Sequence, residues 1–200
     1  MRAILVHGMG RSPLSQLLLA RRLRVAGIRV DLFGYSTFRP FETSVSRLAT
    51  RVRSLGDGEP FILIGHSLGC VLIRAALPRL EAPPAACFFL APPNRAPRVA
   101  RFFAGNRLYR LFTGDSGQRL SNGAFMAALP IPEGTVRVYA GTVGYRGRLS
   151  PFGYEPNDGV LAVSETTLSP SHAPVLVPAL HTFIMNSQAV ARDITATVAC

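Results

Sequence analysis

Short, largely apolar segments recur along this chain at residues 3–6, 28–33, 61–64, 85–91, 135–140 and 173–177, unbroken at 3–6, 61–64 and 85–91 and interrupted by Arg29, Asp31 and Arg137 in two others, each bounded by glycine, proline or polar residues. Runs of this length that stay apolar without alternating are what strands buried on both faces require. The stretches between them carry helical spacing. Ser12 and Pro13 form an N-cap and first-turn pair that predicts a helix to Ala26, closed by Gly27, with Leu14, Leu17, Leu18 and Val25 expected on its inward face. Further helices are predicted over 42–55, with Val45, Leu48 and Val52 on one face, over 71–77, and over 182–198, where Val190, Ile194 and Val198 recur at four-residue intervals.

Strand and helix in alternation predict the α/β class: a three-layer domain with a mostly parallel sheet of about six strands, helices on both faces and the binding site at the carboxyl ends of the strands. Residues 94–129 break the rhythm. Their arginines are interleaved with Val99, Phe102, Phe103, Tyr109 and Phe112, which predicts one or two short amphipathic helices. Such a segment suits a lid over an apolar pocket or a lipid headgroup surface, and equally an ordinary helix packed on the sheet with solvated arginines.

Composition narrows the class without changing the fold. With 48% hydrophobic and 16% charged residues over 200 positions, the chain has a core's worth of apolar side chains, so disorder is excluded and one domain over 1–200 is expected. The apolar runs are too short to span a bilayer and the chain opens on a strand without a charged leader, from which a cytoplasmic location is the expectation, although a chain whose signal peptide had been removed would read the same; nothing in the sequence demands more than a monomer. Cys70 and Cys87 sit in apolar segments as small core residues and Cys200 is terminal, so neither a disulfide framework nor zinc spacing is present. The net charge of +11 comes from arginine alone, since there is no lysine. Arginines scattered in this way serve as a solvated surface or favour an anionic partner such as a membrane surface. No helix-turn-helix, zinc or RNA-binding pattern accompanies them, so nucleic acid is not expected as a partner.

The chemistry concentrates in one pentapeptide. Gly65, His66, Ser67, Leu68 and Gly69 fit G-x-S-x-G between a predicted buried strand and a predicted helix. Glycines two before and two after the serine let strand and helix backbones pass closely around a strained residue, and the free N–H groups of the helix start can stabilise negative charge. Near the N-terminus, His7, Gly8, Met9 and Gly10 follow the first strand, with His7 expected to organise the loop through hydrogen bonds. A base must reach the serine from a loop at the same sheet edge. His181 follows the last strand as that requires, whereas His172 precedes it and should emerge at the opposite edge. The pattern from Gly114 to Gly117 looks like a trypsin-type serine motif, but Gln118 breaks it and the surrounding segments are not all-β.

These residues resemble the α/β-hydrolase family, and within it the small lipases and esterases with little or no cap domain. The likeness rests on Gly65 to Gly69, on His7 to Gly10 and on the order Ser67, Asp158, His181. It implies that Ser67 is the nucleophile, His181 the general base and Asp158 the carboxylate that orients it, with Glu155 and Glu165 as other candidate acids. It also implies that the backbone N–H groups of Met9 and Leu68 form the oxyanion hole. A carboxylic-ester substrate, a small molecule or a lipid, and no metal or organic cofactor follow from the same likeness. Thioesters, amides, acyl transfer, and a non-catalytic anionic-lipid-binding protein on this scaffold stay open beside it.

Overall fold

The computed structural model describes residues 1–56, 58–98 and 107–199, with the backbone alone over 107–112. Six parallel strands form one sheet: β1 (Arg2–Val6), β2 (Arg29–Phe33), β3 (Phe61–His66), β4 (Ala86–Leu90), β5 (Thr135–Gly141) and β6 (Val175–Val177), in the order β2-β1-β3-β4-β5-β6. Alternate side chains along the inner strands feed two separate cores. Ile4, Val6 and Leu63 pack with residues of α2 (Phe41–Arg53) and α3 (Leu68–Ala76) on one face. Ala3, Leu5, Ile62 and Ile64 pack on the other with α1 (Leu17–Val25) and α7 (Gln188–Ala199). The three-layer α/β architecture expected from the apolar runs is therefore the one found. Among the described residues no helix is long and apolar enough to cross a membrane.

Register sets where chemistry can occur. Val6 lies opposite Gly65, and Gly141 lies opposite Val177, so the loops after β1 and β3 leave the sheet side by side, as do those after β5 and β6. All four emerge at the carboxyl edge.

Two helices differ from the periodicity. The one expected from Pro13 to Ala26 splits into a 3₁₀ turn, Pro13–Gln16, and α1, and it buries the opposite face to the one expected. Leu19, Ala20 and Leu23 are inside, while Leu14 is 69% and Val25 84% exposed, with Leu17 and Leu18 also on the surface. The segment is apolar on two sides, so a period of 3.6 has no unique phase here. Polar anchors decide it: Gln16 Nε2 donates to the Val6 carbonyl, Arg22 to the Asn186 carbonyl and Arg24 to the Val30 carbonyl. The helix expected over 182–198 is likewise divided into a 3₁₀ segment, His181–Asn186, and α7, because Ser187 has extended backbone and its hydroxyl accepts from Val190 N–H as an N-cap.

Of the stretch 94–129, residues 99–106 lie outside those described. The remainder contains α4 (Arg107–Ser121), kinked at Gly114, and α5 (Gly123–Ala128). Both ends of the stretch are held by one side chain. Arg74 of α3 donates to Asn94 Oδ1 (3.3 Å) at one end and to the carbonyls of Leu129 (2.6 Å) and Pro130 (2.9 Å) at the other. The look-alike serine motif serves the fold instead of chemistry. At Gly114 φ is 57°, and Asp115 Oδ2 accepts from Phe41 N–H at the start of α2 (3.0 Å). A short helix α6 (Val163–Thr166) follows the loop after β5.

Candidate active site

Ser67 stands between β3 and α3 with φ 51° and ψ −120°, a backbone region that costs a non-glycine residue on the order of 1–3 kcal/mol. The surroundings over-determine it. Ser67 N–H donates to Leu90 O and Ser67 O accepts from Cys70 N–H, both at 2.9 Å. The flanking glycines are required by contact: a Cβ on Gly65 would sit 2.7 Å from Cys70 N, and one on Gly69 would sit 2.2 Å from Val6 O. The Ser67 hydroxyl makes no capping bond to its helix; Ser67 instead lines a cavity of about 880 Å³ that it shares with Met9, His66, Leu161 and His181.

Asp158 and His181 are joined twice. His181 Nδ1 donates to Asp158 Oδ2 at 2.7 Å, and His181 N–H donates to the Asp158 carbonyl at 2.9 Å. Because Nδ1 is the donor, Nε2 of the neutral ring carries the lone pair. Asp158 is itself held, with Oδ1 accepting from the N–H groups of Val160 and Leu161. Gly141 makes the approach possible, since a Cβ there would lie 2.7 Å from Asp158 Cβ and 2.4 Å from Ala179 O. Among the described residues no hydrogen bond joins the Ser67 hydroxyl to the His181 ring. Bonds of this kind tighten when substrate is bound.

The other candidate acids and base are placed elsewhere. Glu155 pairs with Arg98 and accepts from Ser164 N–H. Glu165 accepts from Ala162 N–H and Arg98 N–H. His172 is bonded to the hydroxyls of Ser169 and Ser171. Cys70 and Cys87 are free and buried, with burial pushing both thiols up, Cys87 to about 12. Cys200 lies outside the described residues. The amides of Met9 and Leu68 donate to no backbone carbonyl among the described residues, and Met9 lines the cavity.

Two buried imidazoles complete the site. His7 donates from Nδ1 to Gly8 O (2.9 Å), accepts at Nε2 from Tyr35 N–H (3.3 Å) and stacks on the Tyr35 ring at 4.3 Å, which is the loop-organising role expected of it. His66 was not singled out by the sequence. Its Nε2 lies 2.9 Å from the His181 carbonyl and, facing an acceptor, must be the donor, while its Nδ1 is buried without a partner among the described residues. Only the fold could reveal this, because the partner is 115 residues away.

Burial depresses the pKa of His66 far below the ordinary value of 6.5, with His181 adding to the effect, and burial also lowers that of His7. For a depressed histidine the unfolded chain binds the proton first, so stability is full above about pH 6.5 and falls as pH drops towards the folded value. Each group contributes at most about 1.4 kcal/mol per pH unit within that window. Tm is therefore expected to fall on acidification below about pH 6.5, with a shallower slope in His66→Gln. An acid slope of the same steepness in the variant would show that His66 is not a source of it.

Residues 3–193 match the model of the alpha/beta hydrolase family. The chain belongs to that family. A search of the curated proteins finds no match. Among solved structures, this alpha/beta hydrolase is similar to the mature lipase BlEst2 of Bacillus licheniformis, with a TM-score of 0.77, 16% identity, and coverage of 98% of this chain and 91% of that one. It is also similar to the phospholipase PlaB of Legionella pneumophila, with a TM-score of 0.67, 20% identity, and coverage of 84% of this chain and 44% of that one. The NocB thioesterase domain, solved as a covalent complex with a fluorophosphonate nocardicin G analogue, is similar at a TM-score of 0.58 and 21% identity, with coverage of 100% and 95%. At these identities the likeness concerns the fold of the hydrolase.

Proposed function

We propose that this alpha/beta hydrolase is a serine hydrolase that cleaves carboxylic esters through an acyl-serine intermediate. The observation that carries the reading is a strained serine at a helix start that opens into the same cavity as a histidine held by a buried aspartate at 2.7 Å. His181 Nε2 takes the proton of Ser67, and the serine oxygen adds to the ester carbonyl. The amides of Met9 and Leu68 hold the resulting oxyanion, each worth on the order of 3 kcal/mol in such sites. His181 then gives its proton to the departing alcohol. Water, deprotonated by the same ring, adds to the acyl-serine, and collapse releases the acid and regenerates Ser67. Asp158 orients the imidazole and stabilises its charged form without accepting the proton.

A fluorophosphonate probe is expected to label the protein at Ser67, as read by peptide mapping. A protein left unmarked and inactive on p-nitrophenyl esters would be a binding protein on this scaffold. A thioester substrate is the second reading, supported by the likeness to a thioesterase domain, and matched oxygen and sulfur esters distinguish the two.

A further inference from the structure

Of the described side chains that line the Ser67 cavity, only Arg11 carries a permanent charge, and no described residue neutralises it. Arg11 follows Met9 and Gly10 on the loop after β1 and is half-buried, yet it makes no ion pair and no hydrogen bond with any described residue. The carboxylate behind His181 is engaged, since Asp158 uses one oxygen for His181 and the other for two amides. Residues 99–112, although outside the described side chains, contain no Asp or Glu that could pair with it. Ser12 also lines the cavity and its hydroxyl makes no capping bond, whereas the Ser15 hydroxyl spends its proton on the Ser12 carbonyl at 2.8 Å. The positive charge of Arg11 also adds to burial in disfavouring a proton on His66, which puts the guanidinium within electrostatic reach of that imidazole.

A guanidinium in a cavity partly shielded from water lacks solvation that an anion would restore, and its planar fork fits carboxylate or phosphate through two parallel hydrogen bonds. We propose that Arg11, with Ser12, forms an anion subsite in the Ser67 cavity, and that the preferred substrate is an ester bearing a carboxylate or phosphate group. This rests on the ester-hydrolase reading above. In that arrangement the guanidinium holds the anionic end of the substrate while the loop bearing it presents Met9 N–H to the reacting carbonyl.

The test compares kcat/KM for two matched pairs: p-nitrophenyl hydrogen adipate against p-nitrophenyl hexanoate, and p-acetoxyphenyl phosphate against phenyl acetate. The first pair reads a carboxylate on the acyl chain, the second a phosphate on the alcohol. In Arg11→Gln the anionic-to-neutral ratio is expected to fall about 10- to 100-fold on one pair, mainly through KM, the loss of one charge-assisted hydrogen-bonded pair. Arg11→Lys should recover part of it. A ratio unchanged on both pairs overturns the proposal. Calorimetric binding of p-nitrophenyl hydrogen adipate and p-acetoxyphenyl phosphate to the Ser67→Ala protein, with and without Arg11→Gln, reads the subsite without turnover. Failure of hydrolysis and failure of the anion site are thereby distinguishable, and binding of both probes independent of Arg11 would end the second.

Discussion

Ser67→Ala is expected to lower kcat for p-nitrophenyl esters by about four orders of magnitude, equivalent to about 5.4 kcal/mol of transition-state stabilisation. KM should change little, because the hydroxyl takes part in the reaction rather than in holding the ester. The fold should survive. Serine at a helix N-cap normally stabilises the helix by bonding a free N–H, and its removal then costs about 1 kcal/mol. Here the hydroxyl makes no such bond, so the usual loss does not apply. The backbone strain at φ 51° is shared by serine and alanine, and the bonds that hold it, to Leu90 O and from Cys70 N–H, come from the main chain. Circular dichroism and Tm measured beside turnover separate the outcomes. A variant that folds normally and keeps its ester turnover removes Ser67 from the reaction.

Gly69→Ala is expected to be strongly destabilising for the addition of a single methyl group. The added Cβ would lie 2.2 Å from Val6 O and 2.7 Å from His7 O, both backbone atoms at the end of a central strand that cannot rotate away. Overpacking of a core costs about 1–3 kcal/mol and occasionally more. Contacts this short with two main-chain oxygens belong at the upper end. For a chain of this size, about 3 kcal/mol corresponds to a drop in Tm of roughly 6–12 °C. Turnover should fall as well, since relief of the clash pushes the start of α3, and with it the Leu68 amide, away from the loop that carries Met9. Gly123→Ala is the matched control. A Cβ there meets nothing within 4 Å at the first turn of α5, and alanine is the better helix former, so Tm should hold or rise slightly. Similar melting temperatures for the two variants would contradict the close-approach account of the elbow.

Which parts could be read along the chain follows from the range of the interactions involved. The strands at 3–6, 61–64 and 86–90 announce themselves because a strand buried on both faces must be apolar throughout, a local demand, whereas β2, β5 and β6 carry charged or exposed positions and are read from their place in the alternation of strand and helix. The elbow is legible for the same reason, since its glycines and serine answer a local steric problem. Asp158 and His181 could be proposed from their order and from the strand ends they follow, and the structure brings them to 2.7 Å. The inward face of α1 is opposite to the expected one because that helix is apolar on two sides, and the choice is made by Gln16, Arg22 and Arg24 reaching carbonyls of other segments. Arg74 is one more arginine in the sequence, yet in the fold it holds both ends of residues 94–129.

By itself, then, the sequence determined the layered α/β architecture and the strained turn. These depend on burial pattern and on backbone sterics within a few residues. Tertiary structure alone decided that His66 binds the carbonyl of His181, that His7 is locked by Tyr35, and that Arg11 enters the cavity without a partner among the described residues. Each of those facts is a contact, or the lack of one, between segments whose separation along the chain carries no trace of their nearness in space.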